Sequence, residues 1–353
     1  MNSQSTVLIL GARGRLGSAA VRAFARAGWR VIAQVRPGAS ASAASAAAHA
    51  HTPALRWLAH DLADTAGLAA AAAGASVVVH ALNPVYTHAA WQREAPVLMD
   101  AAIAVTRALS MAALASGGRP ATLMLPGNVY NFGESLPPVL REDTPQAATG
   151  LKGRVRIALE SQLQAATHDG RLRAVVIRAG DYFGRGTGAW LDQAIAKDMA
   201  RGRVTWPGPL DVATPWAYLP DLAQSFVQVA QRCDALAGFN TFHFAGHTVT
   251  GAQWVEVLTD IAWEQGWLPP GGLLKVGHLP WPLLRAWGLI NAKFEALASM
   301  RYLWATAHRL DQTRLEALIG PVPQTAFADA VRAALADLGL LAGPHERLAL
   351  AGH

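Results

Sequence analysis

With 353 residues, 52% of them hydrophobic and 15% charged, the chain reads as a globular protein of one large domain or two closely joined ones, which excludes intrinsic disorder. Its formal charge of +6 comes from 30 Lys and Arg against 24 Asp and Glu, but no block of like charge forms a nucleic-acid stripe. The single cysteine, Cys233, excludes an intrachain disulfide and a cysteine metal cluster. No basic segment followed by an apolar core opens the chain, so a cytoplasmic protein without a metal or nucleic-acid partner is expected.

The first element is an apolar run of strand length, residues 7–10, which empties into Gly11-Ala12-Arg13-Gly14-Arg15-Leu16-Gly17 and then a helix-like run over residues 18–27. Strand, glycine-spaced turn and helix together make the context in which a dinucleotide fingerprint has meaning. Gly11 permits the sharp turn, Gly14 removes a side chain where backbone meets pyrophosphate, and Gly17 lets the helix pack closely. The free amides and partial positive charge of the helix N-terminus suit a diphosphate. The second strand ends at Arg36, where a binder of NAD carries Asp or Glu for the ribose hydroxyls. No acidic residue precedes Asp61, whereas Arg13 and Arg36 are placed to clamp a 2'-phosphate. The expected cofactor is therefore NADP(H).

Residues 37–51 are low in complexity, built from Ala and Ser, and are expected to form an exposed connection with His49 and His51 in solvent. Beyond them, strands are expected at 55–59, 76–81, 121–125 and 173–178, and helices at 65–73, 89–115 and 151–167. This alternation predicts an α/β fold, a Rossmann-type doubly wound parallel sheet with a smaller C-terminal substrate lobe. The expected division is 1–180 for the nucleotide domain and 181–353 for the lobe, with about 212–245 returning to the sheet. The lobe is rich in tryptophan, expected to pack a core or line an apolar cleft. Residues 279–290 are apolar but too short, and too interrupted by Pro and Arg, to span a bilayer, so a soluble lobe is expected, with attachment to a membrane surface as the alternative.

Taken in order, these segments resemble an atypical or extended short-chain dehydrogenase/reductase of the NAD(P)-dependent epimerase/dehydratase type. After the glycine loop, Asp61-Leu62 resembles the pair that contacts adenine, and Val79-His80-Ala81-Leu82 resembles the strand end beside the cofactor ribose. Val129-Tyr130, the run Arg178 to Gly184 and the run Trp216 to Ala223 resemble later family motifs. Leu310-Asp311 and the run Leu318 to Thr325 resemble the terminal segment that packs on the substrate domain. The similarity covers nearly the whole chain.

The family's chemistry rests on a Tyr and a Lys four residues later, neighbours on one helix face. No tyrosine here has Lys four positions on. Aligning Glu160 with the family's glutamate puts Lys152 at the Tyr position and Arg156 at the Lys position, and Pro126-Gly127-Asn128 replaces the usual Ser or Thr. Arg156 suits holding the nicotinamide ribose but not moving a proton. Lys152, its pKa lowered by burial and by Arg156, or Tyr130 is expected to carry the proton. Asn83, Asp181 and Tyr182 are candidate substrate contacts at the carboxyl edge of the sheet. No phosphate-loop, H-E-x-x-H or G-x-S-x-G motif competes with this reading. An NADP(H)-dependent oxidoreductase or epimerase acting on a small carbonyl or hydroxyl compound is expected, with a homodimer as the candidate assembly. The alternatives are a catalytically silent NADP(H)-binding regulator or scaffold and, from the Trp-rich segment alone, a membrane-surface subunit.

Overall fold

The computed structural model describes residues 5–38 and 54–341; the Ala/Ser-rich connection beyond Gly38, with His49 and His51, lies outside the described residues. In chain order the first half consists of β1 (Thr6–Leu10), α1 (Arg15–Arg26), β2 (Arg30–Val35), β3 (Leu55–Ala59), α2 (Thr65–Ala71), β4 (Ala75–His80), α3 (His88–Ala115) and β5 (Thr122–Asn128). There follow β6 (Val139–Leu140), α4 (Leu151–Ala165) and β7 (Arg173–Ala179). The second half comprises β8 (Asp181–Phe183), β9 (Arg203–Trp206), β10 (Ala213–Tyr218), α5 (Leu219–Ala230), β11 (Phe239–Phe244), β12 (His247–Thr250) and α6 (Gly251–Glu264). It ends with β13 (Lys275–His278), α7 (Trp281–Gly288), α8 (Ala292–Ala298), α9 (Tyr302–Ala305), β14 (Arg309–Leu310), α10 (Thr313–Ile319) and α11 (Phe327–Asp337).

Seven strands form one parallel sheet in the order β3-β2-β1-β4-β5-β7-β11. A parallel sheet is covered on both faces, which is why β1 reads as an unbroken apolar run with every residue buried. Its side chains alternate: Val7 and Ile9 join Phe24, Val79 and Phe226 on one face, while Leu8 and Leu10 join Met99, Leu123 and Leu163 on the other. Helix α1 contributes Leu16, Ala19, Ala20, Ala23 and Phe24, the three-and-four spacing of a single buried face. Helix α3 is long and apolar enough to cross a bilayer, yet Met99, Ala102, Val105 and Leu109 are buried against the sheet.

The chain leaves the sheet after β7, and β10 pairs with β8 and β12 in a smaller sheet. It returns through α5, whose Leu222 and Phe226 share a core with α1, and through β11 beside β7. The lobe is centred on Trp206, Trp216, Trp254 and Trp304, with ring centroids 4.7 Å apart for Trp216–Trp254 and 5.4 Å for Trp206–Trp304. Edge-on aromatic pairs of this kind contribute about 0.5–1.5 kcal/mol each beyond their buried area.

Three sequence expectations are corrected. Helix α1 starts at Arg15, capped by Gly14, and not at residue 18, because the glycine loop itself closes the first turn. Strand β5 runs on through Pro126 and Gly127 to Asn128; its pairing with β4 stops at Met124, so beyond that point a residue without an amide is tolerated on the free edge. The terminal segment does not pack on the lobe alone: Leu315, Leu318, Ile319 and Val322 pack into the core of α1 and α5, and Asp221 accepts hydrogen bonds from Thr325 N (2.7 Å) and Oγ1 (2.8 Å).

Candidate active site

The carboxyl ends of β1 and β4, neighbours whose connections run to opposite sides, open the crevice in which open α/β sheets bind ligands. Gly11 turns there with φ +73°, and a Cβ on it would lie 2.9 Å from Leu82 Cδ2 and 3.0 Å from Ala81 O. A Cβ on Gly17 would collide with Gly11 O, so the helix start rests directly on the turn. Gln34, buried on β2, holds the loop from below: its Oε1 accepts from Gly11 N (3.1 Å), its Nε2 donates to His60 O (2.8 Å), and its carbonyl accepts from Ala12 N (3.0 Å). The amides of Arg15, Leu16 and Gly17 fall in the first helical turn, which lacks intrahelical acceptors. These residues fit a dinucleotide diphosphate.

The Ala12–Gln34 bond places the loop beside the end of β2, so Arg13 and Arg36, both exposed, occupy one corner of the crevice. Asp61, exposed past β3, accepts from Ala63 N (3.0 Å), while Leu62 packs beneath it. Ala81 and Leu82 form the wall facing Gly11, and Asn83 is exposed beyond them. The His80 ring points into the protein, where burial pushes its pKa down to about 4, with repulsion from Arg156 adding to the effect, and it is neutral. Arg15 turns away from the crevice: Nη2 donates to Tyr182 O (3.0 Å) and Gly184 O (3.2 Å), and Nε to Arg185 O (3.2 Å). Only its backbone is left to serve a diphosphate.

The other end of the cleft is assembled around α4. Lys152 is buried, its Nζ 2.9 Å from the centroid of the Tyr86 ring and donating to Ala296 O (3.1 Å). The ring face favours an ammonium, yet desolvation wins and lowers the pKa to about 6. Burial alone accounts for that shift, and the expected contribution of Arg156 is absent. Arg156 instead donates to Pro126 O (3.3 Å) with its guanidinium 5.0 Å from the Trp91 ring. The phenols of Tyr86 and Tyr130 are in hydrogen-bonding contact, and burial pushes both above the ordinary tyrosine value. Burial also raises Asp181 to about 7, opposed by the charge of Arg15. Tyr182 donates its hydroxyl to Gly127 O (2.6 Å), which occupies it structurally.

A buried ion pair sets the position of α4. Arg178 Nη2 lies 2.6 Å from Glu160 Oε2 and Nε 3.2 Å from Oε1, and Asn131 Nδ2 also donates to Oε1 (2.9 Å). Gly127 leaves room for this arginine, since a Cβ there would sit 2.6 Å from Arg178 Cγ. Tyr130, Lys152, Ser299, Met300 and Tyr302 border a cavity of about 10 Å³, room for one water.

The model of the NAD dependent epimerase/dehydratase family matches residues 7–243. The chain belongs to this family. None of the curated proteins matches the chain in sequence. Among solved structures, a proposed epimerase from Burkholderia cenocepacia superposes with a TM-score of 0.67 at 22% identity, covering 95% of this chain and 97% of the other. The UDP-Glc/GlcNAc 4-epimerase of Campylobacter jejuni gives 0.67 at 17%, over 94% and 97%. The UDP-glucuronic acid 4-epimerase of Bacillus cereus, in complex with NAD, gives 0.67 at 16%, over 95% and 98%. These likenesses establish the fold of this family member.

Within the family frame, Lys152 and Arg156 stand one turn apart on α4 as the spacing predicted, but Tyr86 and Tyr302 join them without having been anticipated. Tyr86 follows the Asn83-Pro84 stop after β4, and Tyr302 comes from the start of α9. One sequence signal pointed there: in Lys152-Gly153, the glycine sits where a Cβ would strike Tyr130 O, a sign of close backbone approach at the helix start.

Proposed function

We propose that the protein is an NADP(H)-dependent oxidoreductase or epimerase acting at a hydroxyl or carbonyl carbon, with a proton-handling group other than the usual Tyr/Lys pair. One observation carries the reading. Arg15 of the glycine loop donates to Tyr182 O (3.0 Å), the Tyr182 hydroxyl donates to Gly127 O (2.6 Å), and Arg156 of α4 donates to the neighbouring Pro126 O (3.3 Å), so the nucleotide corner and the α4 corner are joined across the carboxyl edge of the sheet. The glycine loop would hold the diphosphate, Arg13 and Arg36 the 2'-phosphate, and Arg156 the nicotinamide ribose. When bound, the nicotinamide supplies hydride acceptance and return at the substrate carbon.

The chain's own residues then manage the proton. With its pKa near 6, Lys152 is a free amine at neutral pH and accepts the proton leaving a substrate hydroxyl. Tyr130 and Tyr86, held as phenols, donate and relay but do not act as bases. Arg156, donating to Pro126 O and stacked near the Trp91 ring, positions groups and is given no part in proton transfer. Because solved structures of this fold include UDP-sugar epimerases, a nucleotide sugar is the first substrate class to test. Consumption of NADP+ or interconversion of a nucleotide sugar, lost in Lys152→Ala, is the expected result. Full activity in both Lys152→Ala and Tyr130→Phe would refute these roles. Pro126 in place of the hydroxyl residue favours one other reading, a silent nucleotide binder, which predicts tight NADPH binding with no turnover of any such substrate.

A further inference from the structure

Helices α7 and α8 form a hairpin at the edge of the lobe, Gly288 letting the first approach the second and Trp287 lying 5.6 Å from Phe294. Its root is fixed: Trp281 and Leu284 are buried, and Trp281 Nε1 donates to Pro207 O (2.6 Å). Its tip is the opposite. Leu289 is 88% exposed and Ile290 86%, with Trp287 at 45% and Leu283 at 44%. These four large apolar side chains crowd into eight residues of a well-anchored element.

The charges around the tip choose its partner. Between Trp281 and Arg301 the cations are Arg285, Lys293 and Arg301, all exposed, and the single acid is Glu295. That carboxylate lies 3.4 Å from His88 Nδ1 and is itself 57% exposed, so three exposed cations outnumber one exposed acid around the tip. We infer that this tip docks the protein on an anionic lipid bilayer, with Leu289 and Ile290 entering the headgroup boundary, Trp287 at the interface, and Arg285 and Lys293 meeting lipid phosphates. Two exposed aliphatic residues at a helix end need no complementary groove in a fluid interface, and a tryptophan with flanking cations is the composition such interfaces select. Length and the interruptions by Pro and Arg exclude a span, but lying on a surface requires none. The docked element also adjoins the cleft, because α8 carries the Ala296 carbonyl that accepts from Lys152.

The test is flotation of the full chain with vesicles of phosphatidylcholine alone or mixed with phosphatidylglycerol. The bound fraction is expected to rise about fivefold with the anionic lipid. It should fall about tenfold in Leu289→Ser/Ile290→Ser, and the preference for anionic lipid should vanish in Arg285→Glu/Lys293→Glu. Val97→Ser/Met111→Ser, on the exposed side of α3, should float like the parent. Because the tip residues are exposed, their variants should keep the parent's melting temperature and NADPH affinity, so failure of the catalytic reading leaves this result standing. Absence of flotation, equal flotation of the tip variant, or loss on the α3 change instead would overturn the proposal. So would a parent that stays off vesicles but self-associates through Leu289 and Ile290, since the tip would then be a protein contact.

Discussion

The two ends of the cleft treat charge in opposite ways. At the glycine loop the cations Arg13 and Arg36 are exposed, at the same end of the sheet as backbone amides that suit an anion. At α4 the ionisable groups are buried and driven toward their neutral forms, Lys152 down to about 6 and Asp181 up to about 7. The first arrangement suits a permanently charged ligand, whereas the second suits groups that exchange protons, as the proposed function requires.

The strongest way to break this contrast is to leave a buried charge unpaired at the α4 end. Glu160→Gln strands the Arg178 guanidinium and should lower stability by about 3–5 kcal/mol in urea unfolding. Next comes the pH dependence of folding. Lys152 has a pKa of about 6 when folded, against an unfolded value of 10.5, so the unfolded chain binds the extra proton between them and stability from this group rises with pH across that window. Between about pH 7.5 and about pH 9.5 the gain should be roughly 2–3 kcal/mol, and Lys152→Met should flatten it. At the other end, Arg36→Ala should weaken NADPH by roughly tenfold or more in a fluorescence titration while leaving NADH unchanged. The smallest effect belongs to Asp181, which water partly reaches. Its raised pKa makes it lose stability as pH climbs from acid toward 7, and Asp181→Asn should remove a slope worth under about 1 kcal/mol.

The same contrast explains what was legible beforehand. Gly11, Gly14 and Gly17 act through the backbone of one contiguous segment, so spacing alone exposes their task, and strands such as β1, β4 and β7 announce themselves as largely buried apolar runs. The α4 corner joins residues 86, 130, 152, 181 and 302, whose proximity no local pattern encodes. Lys152 sits in Leu151-Lys152-Gly153-Arg154, which reads as an exposed helix start, and only Tyr86 and Ala296, 66 residues before it and 144 after, bury it. Arg15 was misjudged for a similar reason, since its acceptors lie some 170 residues further along the chain.

That arginine has a mechanical consequence. One guanidinium rooted in the first turn of α1 grips three successive stretches of main chain at the exit of β8, so the nucleotide corner and the start of the lobe are pinned together at a single point. A hinge cannot open where it is bolted. Any shift of the start of the lobe against the nucleotide corner would have to break these three bonds together.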